Sequence, residues 1–129
     1  MAFIPAYKHE TAPVPFEYYA GVIQNLVPGT LLYLNAGKLA VAGGTVKPQF
    51  IAQHTGTIDG TQVIAVEKIK ESTIYETTCS AAFTSIKIGN KVTTGTDGLT
   101  VTATTDSGIA TVVDYDGTAI GSKVLVRFE

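Results

Sequence analysis

Two stretches of the sequence share the form G-T-x-x-G-x-x-V, and this repetition constrains the fold more than any other feature. They are GTIDGTQVIAV, which begins at Gly56, and GTAIGSKVLVR, which begins at Gly117. In each stretch the second glycine, Gly60 or Gly121, stands just before an apolar run that is typical of a strand. Each stretch therefore predicts a tight turn that leads back into a β-sheet.

The match between the two stretches extends upstream in the same order. PGTLLYLNAGKLAVA parallels IGNKVTTGTDGLTVTA, and the offset stays at 60 or 61 residues throughout. Co-linear matches at one offset predict an internal repeat, over about 21–69 and 82–128. A phosphate-binding loop would need a strand–turn–helix setting and a lysine, and both are missing. The shared glycines are therefore predicted to be structural turns: Gly29, Gly37, Gly56, Gly60, Gly89, Gly98, Gly117 and Gly121.

From Tyr18 onward, short runs rich in Val, Ile, Thr and Tyr alternate with Gly, Asn and Asp turns. Neither half has enough strands to cover its own apolar face, so the halves are expected to pack together. We predict an all-β fold, a small β-barrel built from two repeated halves over 18–129, with one weak helix candidate at 79–85. The predicted strands are 19–24, 30–34, 39–42, 50–53, 62–68, 73–77, 91–94, 99–104, 109–115 and 123–128.

Residues 1–17, MAFIPAYKHETAPVPFE, differ from the rest of the chain. Their three prolines remove backbone donors and favour an extended course over an interior strand. Their apolar content is high for a solvated tail, yet two interpretations stay open: a disordered terminus, or an extended arm that packs along its own domain or a neighbouring subunit. The predicted partner-binding residues are Phe3, Ile4, Pro5, Tyr7, Val14 and Phe16 in the arm, and Tyr18 and Tyr19 at its exit.

Catalytic and metal-binding chemistry has little support in the sequence. Cys79 is the only cysteine among 129 residues, and His9 and His54 lack any partner at metal-ligand spacing. Asp114 and Asp116 lie in a DYDG segment that is ordinary hairpin chemistry. A net charge of −2 gives no basic surface for nucleic acid, and no apolar window reaches membrane-spanning length. We predict no enzyme activity, cofactor, metal, nucleic acid or membrane partner.

The second half carries four segments in a recognisable order. A glycine-led strand at Gly89–Thr93 is followed by a D-G hairpin at Asp97–Gly98, an S-G-x-A strand at Ser107–Ala110 and a G-x-x-V-x-V-R-F segment at Gly121–Phe128. This order resembles that of a family of small phage head decoration, or cement, proteins. The first half fits more loosely, with Pro28 where an ordinary strand residue is expected, and the resemblance covers about 28–129.

The resemblance implies a small β-barrel that binds the outside of the expanded phage head. Such proteins clamp neighbouring subunits of the major capsid protein, often as trimers, and an extended arm adds a strand to the capsid protein. We therefore expect a non-enzymatic capsid decoration protein, homo-oligomeric with a trimer favoured, on the virion exterior after assembly in the host cytoplasm. The alternatives are another virion β-barrel of a tail tube, fibre or baseplate, then a carbohydrate-binding module, which the absence of Trp disfavours.

Overall fold

The computed structural model describes residues 2–8 and 16–129. Within these residues the chain forms twelve strands and no helix, so the all-β class is confirmed. The strands are β1 (Ile4–Lys8), β2 (Phe16–Tyr19), β3 (Val22–Leu26), β4 (Leu31–Asn35), β5 (Lys38–Val41), β6 (Phe50–Ala52), β7 (Gly56–Asp59), β8 (Ile64–Lys68), β9 (Thr73–Thr78), β10 (Lys91–Val92), β11 (Ala110–Tyr115) and β12 (Lys123–Arg127).

Strand β9 shows why these segments form strands. Its sequence, TIYETT, is rich in β-branched and aromatic residues, and its side chains alternate strictly between buried and half-buried. The weak helix candidate at 79–85 is wrong. The segment between β11 and β12 accepts its backbone hydrogen bonds instead: the amide of Cys79 donates to the carbonyl of Ser122, and the amide of Phe83 to that of Thr118.

The strands form two five-stranded antiparallel sheets and one ribbon. The sheet orders are β2-β8-β6-β4-β5 and β1-β9-β12-β11-β10, and β3 pairs with β7. The single closed barrel expected from the sequence is therefore not what the strands of the described residues form. The reason is that the named strands pair within two separate open sheets and not around one ring.

One isolated parallel bridge brings the two ends of each sheet towards each other. Gly21 lies two residues beyond β2 and bridges to Leu39 of β5, the strand at the opposite end of that sheet. A Cβ atom at Gly21 would lie 2.7 Å from the carbonyl oxygen of Leu39, so this approach requires glycine. In the second half, Cys79 follows β9 directly and bridges to Val101, which bridges in turn to Thr94, two residues beyond β10. Each sheet therefore curves strongly around its interior.

The interior of each curved sheet holds apolar side chains. One cluster lies wholly within the first half and contains Leu26, Leu32, Leu39, Phe50, Ala52, Ile58, Ile64 and Val66. The larger cluster centres on the second half, where Tyr75 and Phe128 are among its largest members, and it also includes Leu31 and Ile51 from the outer face of the first sheet. The halves therefore pack against each other through a shared core.

Backbone pairing follows one register in both halves. Leu31 pairs with Ile51, and exactly sixty positions later Lys91 pairs with Thr111. The same offset relates many other contacts. They include the pairs Ile51–Glu67 and Thr111–Arg127, the amide-to-carbonyl bonds Gly29–Ala52 and Gly89–Val112, and the bonds Thr30–Val27 and Asn90–Lys87. Strand β2 corresponds to β9 through their partner strands: Glu17 faces Val66, and Tyr75 faces Val126, which lies sixty positions after Val66.

Candidate partner-binding surface

The beginning of the predicted arm lies against its own domain. Strand β1 runs antiparallel to β9, with Ile4 opposite Glu76. The amide of Phe3 donates to the carbonyl of Gly29 at 3.0 Å, and the Phe3 ring lies 5.6 Å from the ring of Phe128. Phe3 is only 1% exposed. The structure therefore places Phe3 in the core and leaves Ile4, at 46% exposure, facing outward.

The remaining arm residues fall into different environments. Pro5 is half-buried opposite Tyr75, and the backbone of Tyr7 pairs with Ile74, although the Tyr7 side chain is outside the described part of the structure. Val14 lies wholly outside the described residues, as does His9.

Strand β2 carries two exposed aromatic side chains on one face. Phe16 is 50% exposed and Tyr18 is 63% exposed, and Tyr18 stands opposite Ala65 of β8. Because side chains alternate along a strand, Phe16 and Tyr18 point to the same side. One edge of β2 pairs with β8, and among the described residues no strand pairs with its other edge. Exposed aromatics beside an open edge make β2 the strongest candidate surface for a partner.

The side chain of Tyr19 points to the opposite face of the sheet and packs within the fold. Its ring packs against Phe50, with the ring centroids 5.1 Å apart. Its hydroxyl donates to Glu17 at 2.5 Å. This hydrogen bond, together with partial burial and the charge of Glu17, raises the pKa of Tyr19 above its ordinary value. The pair Tyr18 and Tyr19 therefore splits into one outward and one inward side chain.

An open groove of about 710 Å³ lies beside β2, on the side of the sheet to which Glu17 and Tyr19 point. Residues of β4, β6 and β8 and of the segment before β6 complete it, with Tyr33, Leu34, Pro48, Gln49, Phe50 and Ile69 among them. Lys47 and Lys68 also line the groove, are exposed, and make no ion pair with any described residue. The sequence did not reveal this groove, because its residues come from distant segments without a local motif.

Asp114, Asp116 and Cys79 each form a hydrogen bond with a backbone group. Asp114 accepts a hydrogen bond from the amide of Tyr115, and Asp116 accepts one from the amide of Lys123. The thiol of Cys79 is buried and donates to the carbonyl of Ala119 at 3.2 Å. Across 2–8 and 16–129, no three His, Cys, Asp or Glu side chains cluster as a metal site would require. The described residues include no helix long and apolar enough to cross a membrane.

The predicted turn glycines mostly adopt the conformation for which glycine is suited. Seven of the eight have positive φ, and Gly117 is the exception. At Gly117 a Cβ atom would lie 2.9 Å from the hydroxyl of Ser122.

Asp59, in the turn before Gly60, gives a testable electrostatic feature. The hydroxyl of Thr61 donates to Asp59 at 2.6 Å and the Thr61 amide donates at 3.0 Å. The bond from the Thr61 hydroxyl has the larger effect, and together the two bonds lower the pKa of Asp59 below its ordinary value of 3.8. These hydrogen bonds stabilise the folded protein at pH values above the ordinary pKa of Asp59. This stabilisation is lost as the pH falls through the lowered pKa.

We expect NMR titration of the Asp59 carboxyl to give a midpoint below 3.8, and Thr61→Ala to raise it towards that value. Thr57→Ala is the matched control, because the Thr57 hydroxyl accepts a hydrogen bond from the amide of Asn25 and not one that involves Asp59. Equal midpoints in the wild type and in Thr61→Ala would contradict this assignment.

No known family, curated protein or solved structure matches the chain. The function is therefore inferred from the surfaces themselves and from the resemblance of the sequence motifs.

Proposed function

We propose that this chain is a non-enzymatic capsid decoration protein that binds the major capsid protein on the outer face of a phage head and stabilises it. The observation that carries the proposal is the aromatic pair on β2, Phe16 and Tyr18, exposed beside an open strand edge. The order of the turn and strand motifs in the second half supports the same class. The protein would reach the virion exterior after assembly in the host cytoplasm.

Exposed aromatic side chains are suited to such a contact. Tyr and Phe bury large rigid surfaces at small entropic cost and are enriched at the centres of interfaces. A capsid presents the same site many times, so a modest contact repeated over linked copies gives strong overall binding. Few charges on the chain, 16% of residues, also lower the cost of covering its surface.

We further propose that the two halves are structural repeats, each a small barrel-like unit, and that the protein is a homo-oligomer. The shared register and the two equivalent bridges, Gly21–Leu39 and Cys79–Val101, support the repeat. The trimer is the stoichiometry that the resemblance favours. Light scattering on the purified protein, alone and then with expanded heads, measures both the oligomer and the binding.

Another virion β-structure, a tail tube, fibre or baseplate component, is the second candidate. The open edge of β2 favours it, because sheets can extend from subunit to subunit through such edges. This candidate predicts rings or filaments of the purified protein without any capsid, which electron microscopy detects directly.

The decoration proposal predicts that Phe16→Ala with Tyr18→Ala weakens binding to expanded heads by about 30-fold or more, because two central aromatic contacts are lost. The fold should persist, since both side chains are largely exposed. Ile88→Ala, which removes a 64% exposed apolar side chain elsewhere, is the matched control and should bind like the wild type. Unchanged binding of the double variant in a sedimentation assay would contradict the role of β2.

A further inference from the structure

The two corresponding strands β2 and β9 differ in what lies along their outer edges. Both pair with the closing strand of their half, β2 with β8 and β9 with β12, in the same register. The other edge of β9 is filled by β1 of the same chain, whereas no described strand fills that edge of β2. By analogy with β1 on β9, the corresponding edge of β2 can accept an extended strand in antiparallel orientation.

The groove beside β2 corresponds to the place that Phe3 fills in the second half. Phe3 packs against Phe128, whose ring lies 5.7 Å from that of Tyr75. Glu17 occupies in β2 the position that Tyr75 occupies in β9. Lys68 corresponds to Phe128, which lies sixty positions later in the sequence. Both Glu17 and Lys68 line the open groove. In the second half this space is therefore filled by an aromatic anchor, and in the first half it is open.

The chemistry of the open groove differs from that of its filled counterpart. Two lysines, Lys47 and Lys68, face one carboxylate, Glu17, which already accepts the hydroxyl of Tyr19. The groove therefore carries an excess of positive charge where the second half has aromatic rings. An acidic side chain complements it better than Phe3 would.

We propose that the open edge of β2 accepts an extended acidic strand from a partner protein. The strand runs antiparallel to β2 in the register of β1 on β9, so its residue in the place of Ile4 lies opposite Tyr18. Its residue in the place of Phe3 is acidic and enters the groove near Lys47 and Lys68. Under the proposed function the capsid subunit supplies this strand, and only that identity rests on the proposed function.

The experiment uses the full ¹⁵N-labelled chain and three capped peptides based on residues 2–8, AFIPAYK. One peptide is unchanged, one has Phe3→Glu and one has Phe3→Lys. We expect the Glu peptide to shift the amides of β2 and to bind about fivefold to tenfold more tightly than the Lys peptide, because it gains attraction where the other meets repulsion. Shifts confined to β9 would show that peptides only exchange with β1, and would overturn the proposal.

Charge reversal in the groove gives the second arm of the test. Lys47→Glu with Lys68→Glu should reverse the preference, so that the Lys peptide binds more tightly than the Glu peptide. Lys38→Glu with Lys91→Glu, two exposed lysines outside the groove, is the control and should keep the original preference. An unchanged preference in the groove variant would overturn the proposal.

These measurements contain no capsid, so they fail or succeed independently of the decoration proposal. If heads are not bound but the Glu peptide binds β2, the edge assignment stands and the proposed function fails. If β2 amides are already protected from exchange and light scattering shows a dimer that Tyr18→Lys dissociates, a second copy occupies the edge and the foreign strand is excluded.

Discussion

Phe3→Ala is expected to lower the free energy of unfolding by about 3 to 5 kcal/mol, the usual cost of removing a buried phenylalanine ring. Phe3 belongs to the main core, and its ring contacts that of Phe128. The substitution leaves a cavity between β1 and the body of the second half. Because Phe3 directly precedes β1, loss of its ring is expected to loosen β1 from β9 as well.

Ile4→Ala is the matched control for Phe3→Ala. Ile4 is the next residue and the first of β1, but it points outward and is about half exposed, so its truncation should cost less than about 1 kcal/mol. Urea unfolding followed by circular dichroism measures both variants, and hydrogen exchange of the β9 amides reports the loosening. Equal costs for the two substitutions would contradict the placement of Phe3 in the core.

The same contact changes how the arm should be tested for partner binding. Deletion of 1–17 removes β1 and Phe3 together with Phe16, so any loss of capsid binding would mix lost contacts with lost stability. Substitution of Phe16 and Tyr18 separates the two effects, because neither side chain belongs to the core clusters.

Gly29→Ala is expected to lower the free energy of unfolding by about 2 to 5 kcal/mol. Its φ of +88° is unfavourable for any residue with a Cβ, at about 1 to 2 kcal/mol. The new methyl group would also collide with the Cβ of Ala2 and lie 2.8 Å from the carbonyl oxygen of Phe3. Overpacking of this kind adds about 1 to 3 kcal/mol.

Gly89→Ala isolates the conformational part of that cost. Gly89 corresponds to Gly29 by register and has nearly the same φ, +94°, but nothing lies within 4 Å of its Cβ position. It should therefore lose only about 1 to 2 kcal/mol. Thermal or urea unfolding of both variants gives the difference, and similar losses would show that Ala2 and Phe3 do not pack on Gly29.

Local patterns in the sequence predicted much of this fold. The β-branched run TIYETT at 73–78 and the hairpin glycines Gly37 and Gly98 have conformations that depend on near neighbours. The run 19–24, expected as one strand, is instead divided between β2 and β3. The chain turns away at Gly21 because its bridge to Leu39 requires a close backbone approach that no local pattern announces.

The arrangement of the candidate site depends on contacts between distant segments. The three prolines predict an extended course for the beginning of the chain. They do not predict its partner strand β9, which lies about seventy residues away. Likewise Tyr18 and Tyr19 are chemically equal in the sequence, and only the pairing of β2 with β8 decides which one faces outward. The lysines of the groove carry no motif, and only the sheet brings Lys47 to Lys68.

The position of β9 between β1 and β12 has a consequence for synthesis on the ribosome. β12 begins about 45 residues after β9 ends, a gap of a few seconds at the usual rate of about 5 to 20 residues per second. During that interval β9 can pair with β1 on one edge only, and its other edge is an open template for aggregation. We therefore expect the nascent chain to expose this edge of β9 until β12 has been made.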